Sequence, residues 1–80
     1  MFVEVITPDK KLFEGEVKIA QLPGSNGSFE ILNNHAPIIS TLSKGKLRLV
    51  GDDNHEHIFE IGGGVIESAE NKVIILAESV

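Results

Sequence analysis

The chain has no cysteine, no tryptophan and no tyrosine, and four phenylalanines carry all of its benzenoid rings. Without cysteine there is no disulfide framework and no thiolate metal site, so packing alone must hold the fold. Cations are scarce too: seven Lys and Arg stand against twelve Asp and Glu in 80 residues, a net charge of −5. The cations are scattered, and no basic stripe with interleaved aromatics exists to grip a phosphate backbone. That excludes a nucleic-acid surface. Long apolar runs are also missing. The longest, Val73 to Ala77, is far short of the ~20 residues of a membrane-spanning helix, so no direct membrane insertion is expected. The first residues lack the charged-then-apolar order of a signal or transit peptide, which reads as a chain kept on the side of synthesis. Asn26-Gly27-Ser28 then carries no weight as a glycosylation sequon.

Eighty residues make one domain, 1–80, with no room for a second core. Surface scaling for this mass gives about 4,700 Å² of accessible area. Two standard interfaces of about 800 Å² per partner would occupy roughly a third of it. Such proportions suit an adaptor, monomeric on its own, better than an enzyme with a deep cleft.

What is present is punctuation. Gly or Pro recurs at Pro8, Gly15, Pro23, Gly24, Gly27, Pro37, Gly45, Gly51 and Gly62 to Gly64, and intervals this short favour strands over helices. Phe2 to Thr7 alternates, with Val3 and Val5 on one face. Glu16 to Leu22 is expected to do the same, with Val17 and Ile19 opposed to Lys18. In Lys46 to Val50, Leu47 and Leu49 face in while Lys46 and Arg48 face out. A turn at Asp52-Asp53-Asn54 returns the chain through His55 to Ile61, with His57, Phe59 and Ile61 on one side. Val65 to Ala69 and Lys72 to Glu78 form a second hairpin about Glu70-Asn71, although the apolar spacing there also fits a helical stripe. The β-branched run Val73-Ile74-Ile75 favours the strand. Gly62-Gly63-Gly64 marks a corner between the hairpins. The expected fold is all-β, a two-sheet β-sandwich or flattened barrel of about ten short strands.

Pro23 to Pro37 is the informative stretch. It opens with turn chemistry at Pro23-Gly24-Ser25-Asn26-Gly27, where Asn26-Gly27 tolerates positive φ at both positions. From Ile31 to Ser43 there is no Asp, Glu, Lys or Arg, in a chain that is 24% charged. Two buried strands around a loop would explain that gap. So would a partner contact, since interface cores are depleted in charge. Asn33-Asn34-His35-Ala36-Pro37 is too polar for pure core and reads as a shaped surface.

The string PGSNGSFEILNNHAP resembles the "PG..GE.GILP.HAP" signature of the epsilon subunit of F-type ATP synthases. The similarity extends in order along the chain. Val5-Ile6-Thr7-Pro8 with Phe13-Glu14-Gly15 resembles the family's opening. Thr41 to Leu49, Phe59 to Val65 and Val73 to Ala77 resemble its later strands. The resemblance implies a ten-stranded sandwich at the foot of a rotating central stalk, packed against the gamma subunit and the polar loops of the c-ring. The protein would be a peripheral part of the complex on the cytoplasmic face of the bacterial inner membrane. It would couple rotor parts during proton-driven ATP synthesis, with no catalytic residue, cofactor or metal of its own. Gly24, Gly27, His35, Ala36 and Pro37 carry across by direct match. The turn Ser25, Asn26, Gly27, Ser28, Phe29, Glu30 is implied to face the c-ring, and Asn33 to Pro37 completes the expected contact set. Three departures qualify this. The family usually has an acidic residue at Ser28 and Gly at Glu30; side chains two apart on an extended chain share a face, so Glu30 is expected to present the carboxylate. Asn33 stands where Pro is usual, which frees φ there. Members typically continue into a helical hairpin that restrains ATP hydrolysis and in some binds ATP; Val80 lies where it would begin, so that role is not carried across.

Other chemistry fares less well. His55 and His57 share a strand face but fall short of the ligands a metal needs. His35 has Ser40 and Thr41 near in sequence without a nucleophile motif. The glycine triplet lacks the Lys and helix of a phosphate loop. A generic all-β module for a peptide or sugar and a small hydrolase-like domain stay open at this point.

Overall fold

The computed structural model describes residues 1–78; the expected end of the sandwich at Val80 lies outside the described residues. β-branched and alternating stretches become strands wherever the sequence places them. In order they are β1 (Phe2–Ile6), β2 (Lys11–Leu22), β3 (Phe29–Leu32), β4 (Ile38–Leu42), β5 (Gly45–Gly51), β6 (Glu56–Ile61), β7 (Gly64–Ala69) and β8 (Lys72–Ala77). The fold class is the expected all-β one, with eight strands among the described residues rather than about ten. The shortfall has a physical reason. β2 starts at Lys11 and runs 12 residues, so a single strand serves two layers where two short ones would otherwise be needed.

Neighbouring strands follow the order β4-β7-β8-β1-β2-β5-β6, with β3 on β2. All pairs are antiparallel except β1 with β8. The first half of β2 pairs with β1 in one layer, β4-β7-β8-β1. Its second half pairs with β3 and β5 in the other. The curl is pinned at its far side, where Gly24 bridges Leu42, Ser43 N–H donates to the Pro23 carbonyl at 2.7 Å and Ser25 N–H to the Thr41 carbonyl at 3.1 Å. A flattened barrel results, with Val3, Val5, Val17, Ala20, Leu22, Ile31, Leu47, Leu49, Ile66, Val73 and Ile75 enclosed between the layers. Lys46 and Arg48 face out as expected, and both hairpins form.

Two expectations are corrected. The alternation in β2 breaks, because the register with β5 shifts between Val17 and Ile19. A bulge there turns Ala20 and Leu22 inward with Val17 and leaves Ile19 half-buried outside. The charge-free stretch does contain two strands, but neither is buried on both faces: Ile31 and Leu42 are covered while Leu32 and Ile39 are exposed.

The glycine corner is sterically obligatory. Gly63 and Gly64 have φ of 129° and 151°, and a Cβ on Gly64 would sit 2.2 Å from the Leu76 carbonyl oxygen. Strain and overlap add, so Gly64→Ala should cost about 3 kcal/mol or more in denaturant unfolding. A loss below about 0.5 kcal/mol, the scale of neutral surface changes, would contradict this reading of the corner.

Candidate functional site

The residues singled out between Ser25 and Pro37 fall in two places. β3 separates them by four residues, about 13 Å of extended chain. At one end is the turn Gly24–Ser28, at the other the loop Asn33–Pro37.

The turn is built by its glycines for different reasons. Gly27 N–H donates to the Gly24 carbonyl at 3.0 Å. Gly24 is buried, and a Cβ there would meet the Gly27 oxygen at 2.5 Å and the Phe29 ring at 2.7 Å. Gly27 needs its φ of 121° but has open space around it. Asn26 does not take the expected positive φ. The closing bond runs from residue 27 to residue 24, which makes Ser25 and Asn26 the central pair and leaves Gly27 alone to turn left-handed. Ser25 is tied back by the Thr41 hydroxyl, which donates to its Oγ at 2.9 Å. Ser25, Asn26, Gly27 and Ser28 are exposed, and Phe29 is half-buried beneath them.

Glu30 points to the outer face of the second layer. Its register partner Gln21 donates to it, and Gln21 Oε1 accepts from Arg48 Nη1 at 3.1 Å. Arg48 in turn donates to Glu56 through Nε at 2.7 Å and through Nη2. A polar row thus crosses β3, β2, β5 and β6, above a hollow of about 500 Å³ lined by Phe29, Lys46 and Ile58 among others.

The loop is shaped by its two asparagines. Asn34 takes φ 63° and its N–H donates to the Asn71 side chain at 2.8 Å. Asn33 Oδ1 accepts from the Met1 nitrogen where β1 begins. Where Pro would have no polar side chain, Asn33 thus supplies an anchor. His35 Nδ1 lies 2.7 Å from the Ala36 carbonyl, and the Ser40 and Thr41 hydroxyls are engaged at 3.2 Å and 2.9 Å with local acceptors. Asn33 to Pro37 is exposed throughout. The loop is an exposed, anchored surface whose side chains are committed to local bonds that hold its shape.

The other histidines go separate ways. His57 packs against Phe13 in a tilted contact with ring centroids 4.8 Å apart, whereas His55 pairs with Asp53 at 2.9 Å in the β5–β6 turn. The hydrogen bond to Asp53 raises the His55 pKa, and the same bond lowers that of Asp53.

Sequence reasoning missed a larger surface. On the outside of the first layer, Thr41, Val65, Leu76 and Ile6 are successive register partners, as are Ile39, Glu67, Ile74 and Glu4. Ile39, Val65 and Leu76 are 75%, 39% and 53% exposed, three of the five large apolar side chains left open. A hollow of about 430 Å³ lies between Pro8, Val65 and Leu76. Toward β2 the same face becomes charged: Lys11 sits 3.0 Å from Glu4 and 3.1 Å from Glu14, relieving two carboxylates that face each other across the ladder. The missed signal was the unbroken run in β8. A strand covered on one side alternates; one that does not is apolar on both sides.

Two predictions follow from this geometry. Gly24→Ala should destabilise more than Gly27→Ala, whose cost is conformational only, about 1–2 kcal/mol; the reverse order in urea titrations would overturn the assignment. For the turn pair, the His55 contribution is complete below its ordinary value of 6.5 and lost as pH rises through the raised one. That of Asp53 is complete above 3.8 and lost as pH falls through the lowered one. Asp53→Asn should bring the His55 titration, followed by NMR, back down toward the ordinary value; an unmoved curve would refute the pairing.

The chain matches the family described as "ATP synthase, Delta/Epsilon chain, beta-sandwich domain" over residues 1–80. It is 42% identical over 78 residues to the ATP synthase epsilon chain of Chlorobaculum tepidum, covering 98% of this chain and 89% of that one. Identity to the ATP synthase epsilon chain of Dichelobacter nodosus is 41% over 76 residues, covering 95% of this chain but 53% of that one. Among solved structures, a chain of the Euglena gracilis mitochondrial ATP synthase, in a structure of OSCP, F1 and c-ring, superposes with a TM-score of 0.87 at 18% identity, over 94% of this chain and 48% of that chain. A chain of the Tetrahymena thermophila central stalk and c-ring structure gives 0.80 at 23%, over 99% and 63%. At such identities these two structures speak to the fold. With the family match spanning all 80 residues and the curated relatives agreeing, the chain belongs to the β-sandwich family of ATP synthase delta/epsilon chains.

Proposed function

We propose that the chain is a non-catalytic rotor subunit of an F-type ATP synthase, on the cytoplasmic face of a bacterial inner membrane, where it links the gamma subunit to the c-ring. The single observation that carries the contact is the apolar outer face of the first layer. Ile39, Val65 and Leu76 stand open on it beside half-buried Ile6 and Ile74, and a contiguous apolar area on so small a protein marks an interaction site. Gamma takes this face in our reading, with the loop Asn33–Pro37 at its margin. The turn Ser25–Ser28 and Glu30 are polar and exposed, which suits the polar loops of the c-ring. Glu30 supplies a rim charge for a basic group there, favouring encounter and register more than raw affinity.

Val65 and Leu76 are open already and face each other across the ladder, so Val65→Lys with Leu76→Glu, which sets opposite charges side by side, should leave the thermal unfolding of the isolated chain nearly unchanged. Gamma binding should weaken by about 100-fold, as for central apolar anchors. Undiminished binding in calorimetry would sink the assignment of this face. Glu30→Lys should weaken c-ring binding at low salt, with the difference closing as ionic strength rises; equal affinity and equal salt slope would remove Glu30 from the contact.

A further inference from the structure

The seven-strand path ends in two strands, β4 and β6, and their free edges are treated oppositely. Hydrogen-bond parity fixes which backbone groups each presents. Gly51 N–H donates to the His55 carbonyl at 2.9 Å. In the register that follows, Leu49 and His57, then Leu47 and Phe59, are the bonded pairs, which turns the amides of Glu56, Ile58 and Glu60 outward. That edge carries a carboxylate on either side of Ile58, the usual guard against unwanted strand pairing.

At β4 two independent bonds give the parity. Glu78 N–H donates to the Gly63 carbonyl at 2.9 Å, so the odd-numbered residues of β7 bond β8 and the even-numbered ones bond β4. Ser25 N–H donates to the Thr41 carbonyl, so Thr41 faces away from β7. Both place the Ile39 N–H and C=O at the open edge, two residues before the stretch that Gly24 and Ser25 cover. Among the described residues nothing pairs with the chain there. The strand itself carries no charge, since Ile31 to Ser43 holds no Asp, Glu, Lys or Arg; a carboxylate, Glu67, stands one strand inward as the register partner of Ile39. Ile39 is also the most exposed of the large apolar side chains at 75%, and it belongs to the same outer face as Val65 and Leu76.

We propose that β4 is an augmentation edge, where an extended, uncharged and apolar segment of the partner protein adds a strand by bonding the Ile39 backbone. The segment continues the contact that the partner makes with the outer face of the first layer. Continuity selects this occupant, because Ile39 contributes its side chain to the face and its backbone to the edge. The strand's own lack of charge selects its chemistry: it offers no cation to an acidic segment, which Glu67 one strand inward would repel, and the open Ile39 side chain favours an apolar one. The identity of the partner as gamma rests on the reading above; the edge assignment rests on β4 itself.

The test compares Ile39→Ala with Ile39→Pro. Both remove the side chain, but only Pro removes the N–H. Because that N–H faces away from β7, the isolated Pro variant should unfold at the wild-type temperature. It should bind gamma about tenfold more weakly than the Ala variant, the worth of about one net hydrogen bond with its displaced partner. In the wild-type complex the Ile39 amide should exchange at least about tenfold more slowly than in the free chain. Equal binding by the two variants, or an amide as fast in the complex as outside it, overturns the edge and leaves the gamma reading intact. An Ile39 amide already protected from exchange in the free chain also overturns it, because that amide is then bonded within the chain; a Pro variant unfolded by its fixed φ leaves the exchange measurements on wild type to decide. Sedimentation showing a dimer displaced by gamma and abolished by Ile39→Lys assigns the edge to a second copy instead. If wild type fails to bind gamma, both readings fall.

Discussion

Everything in this molecule hangs on β2, and β2 hangs on one bulge. A strand of 12 residues spans about 40 Å if fully extended, more than either layer needs, so it crosses from one to the other. Its first half bonds β1 and its second half bonds β3 and β5. Strict alternation from Val17 would send Ile19 and Gln21 into the core and push Ala20 and Leu22 out. The shift between Val17 and Ile19 reverses that. Leu22 then joins the fully enclosed side chains, and Gln21 reaches the surface, where it bridges Glu30 and Arg48. One extra residue settles the core and the outer polar row at once.

That device also shows where the sequence was legible. Strands whose pattern is local were readable: Leu47 and Leu49 against Lys46 and Arg48, or the turn at Glu70 and Asn71, where both residues take positive φ. The bulge was not, because Lys18 between Val17 and Ile19 looks like ordinary alternation, and only pairing with β5 decides otherwise. Asn26-Gly27 misled for a related reason. The dipeptide can turn left-handed twice, but the bond from Gly27 back to Gly24 sets the turn one residue earlier. Local chemistry offers a menu, and the partner strand chooses from it.

The proposed contact surface was half legible. Composition marked Ile31 to Ser43 as lacking charge, and the turn and loop within Pro23–Pro37 are exposed polar surfaces. What composition could not do was place the apolar face, because its members come from β4, β7, β8 and β1, separated in sequence and joined only by register. A residue-by-residue reading sees Val65-Ile66 and Ile74-Ile75-Leu76 as core. Register divides each run, sending Ile66 and Ile75 to 0% exposure and Val65 and Leu76 to the outside.

The titrating groups point the same way as the apolar ones. Those with a displaced pKa, Lys11, Asp53 and His55, owe it to partners on the open surface. A catalytic centre concentrates such shifts in a cleft, where burial and charge are set against each other. Here the polar side chains serve shape instead: Asn33 and Asn34 moor a loop, Thr41 ties Ser25, and Arg48 clasps Glu56. Loops held at several points on a curled sheet resist deformation, which suits the rotor contact proposed above. The same curl leaves few edges to spare. Of the two that end the seven-strand path, the one without charges is the one joined to the apolar face, as expected if strand and face are covered together.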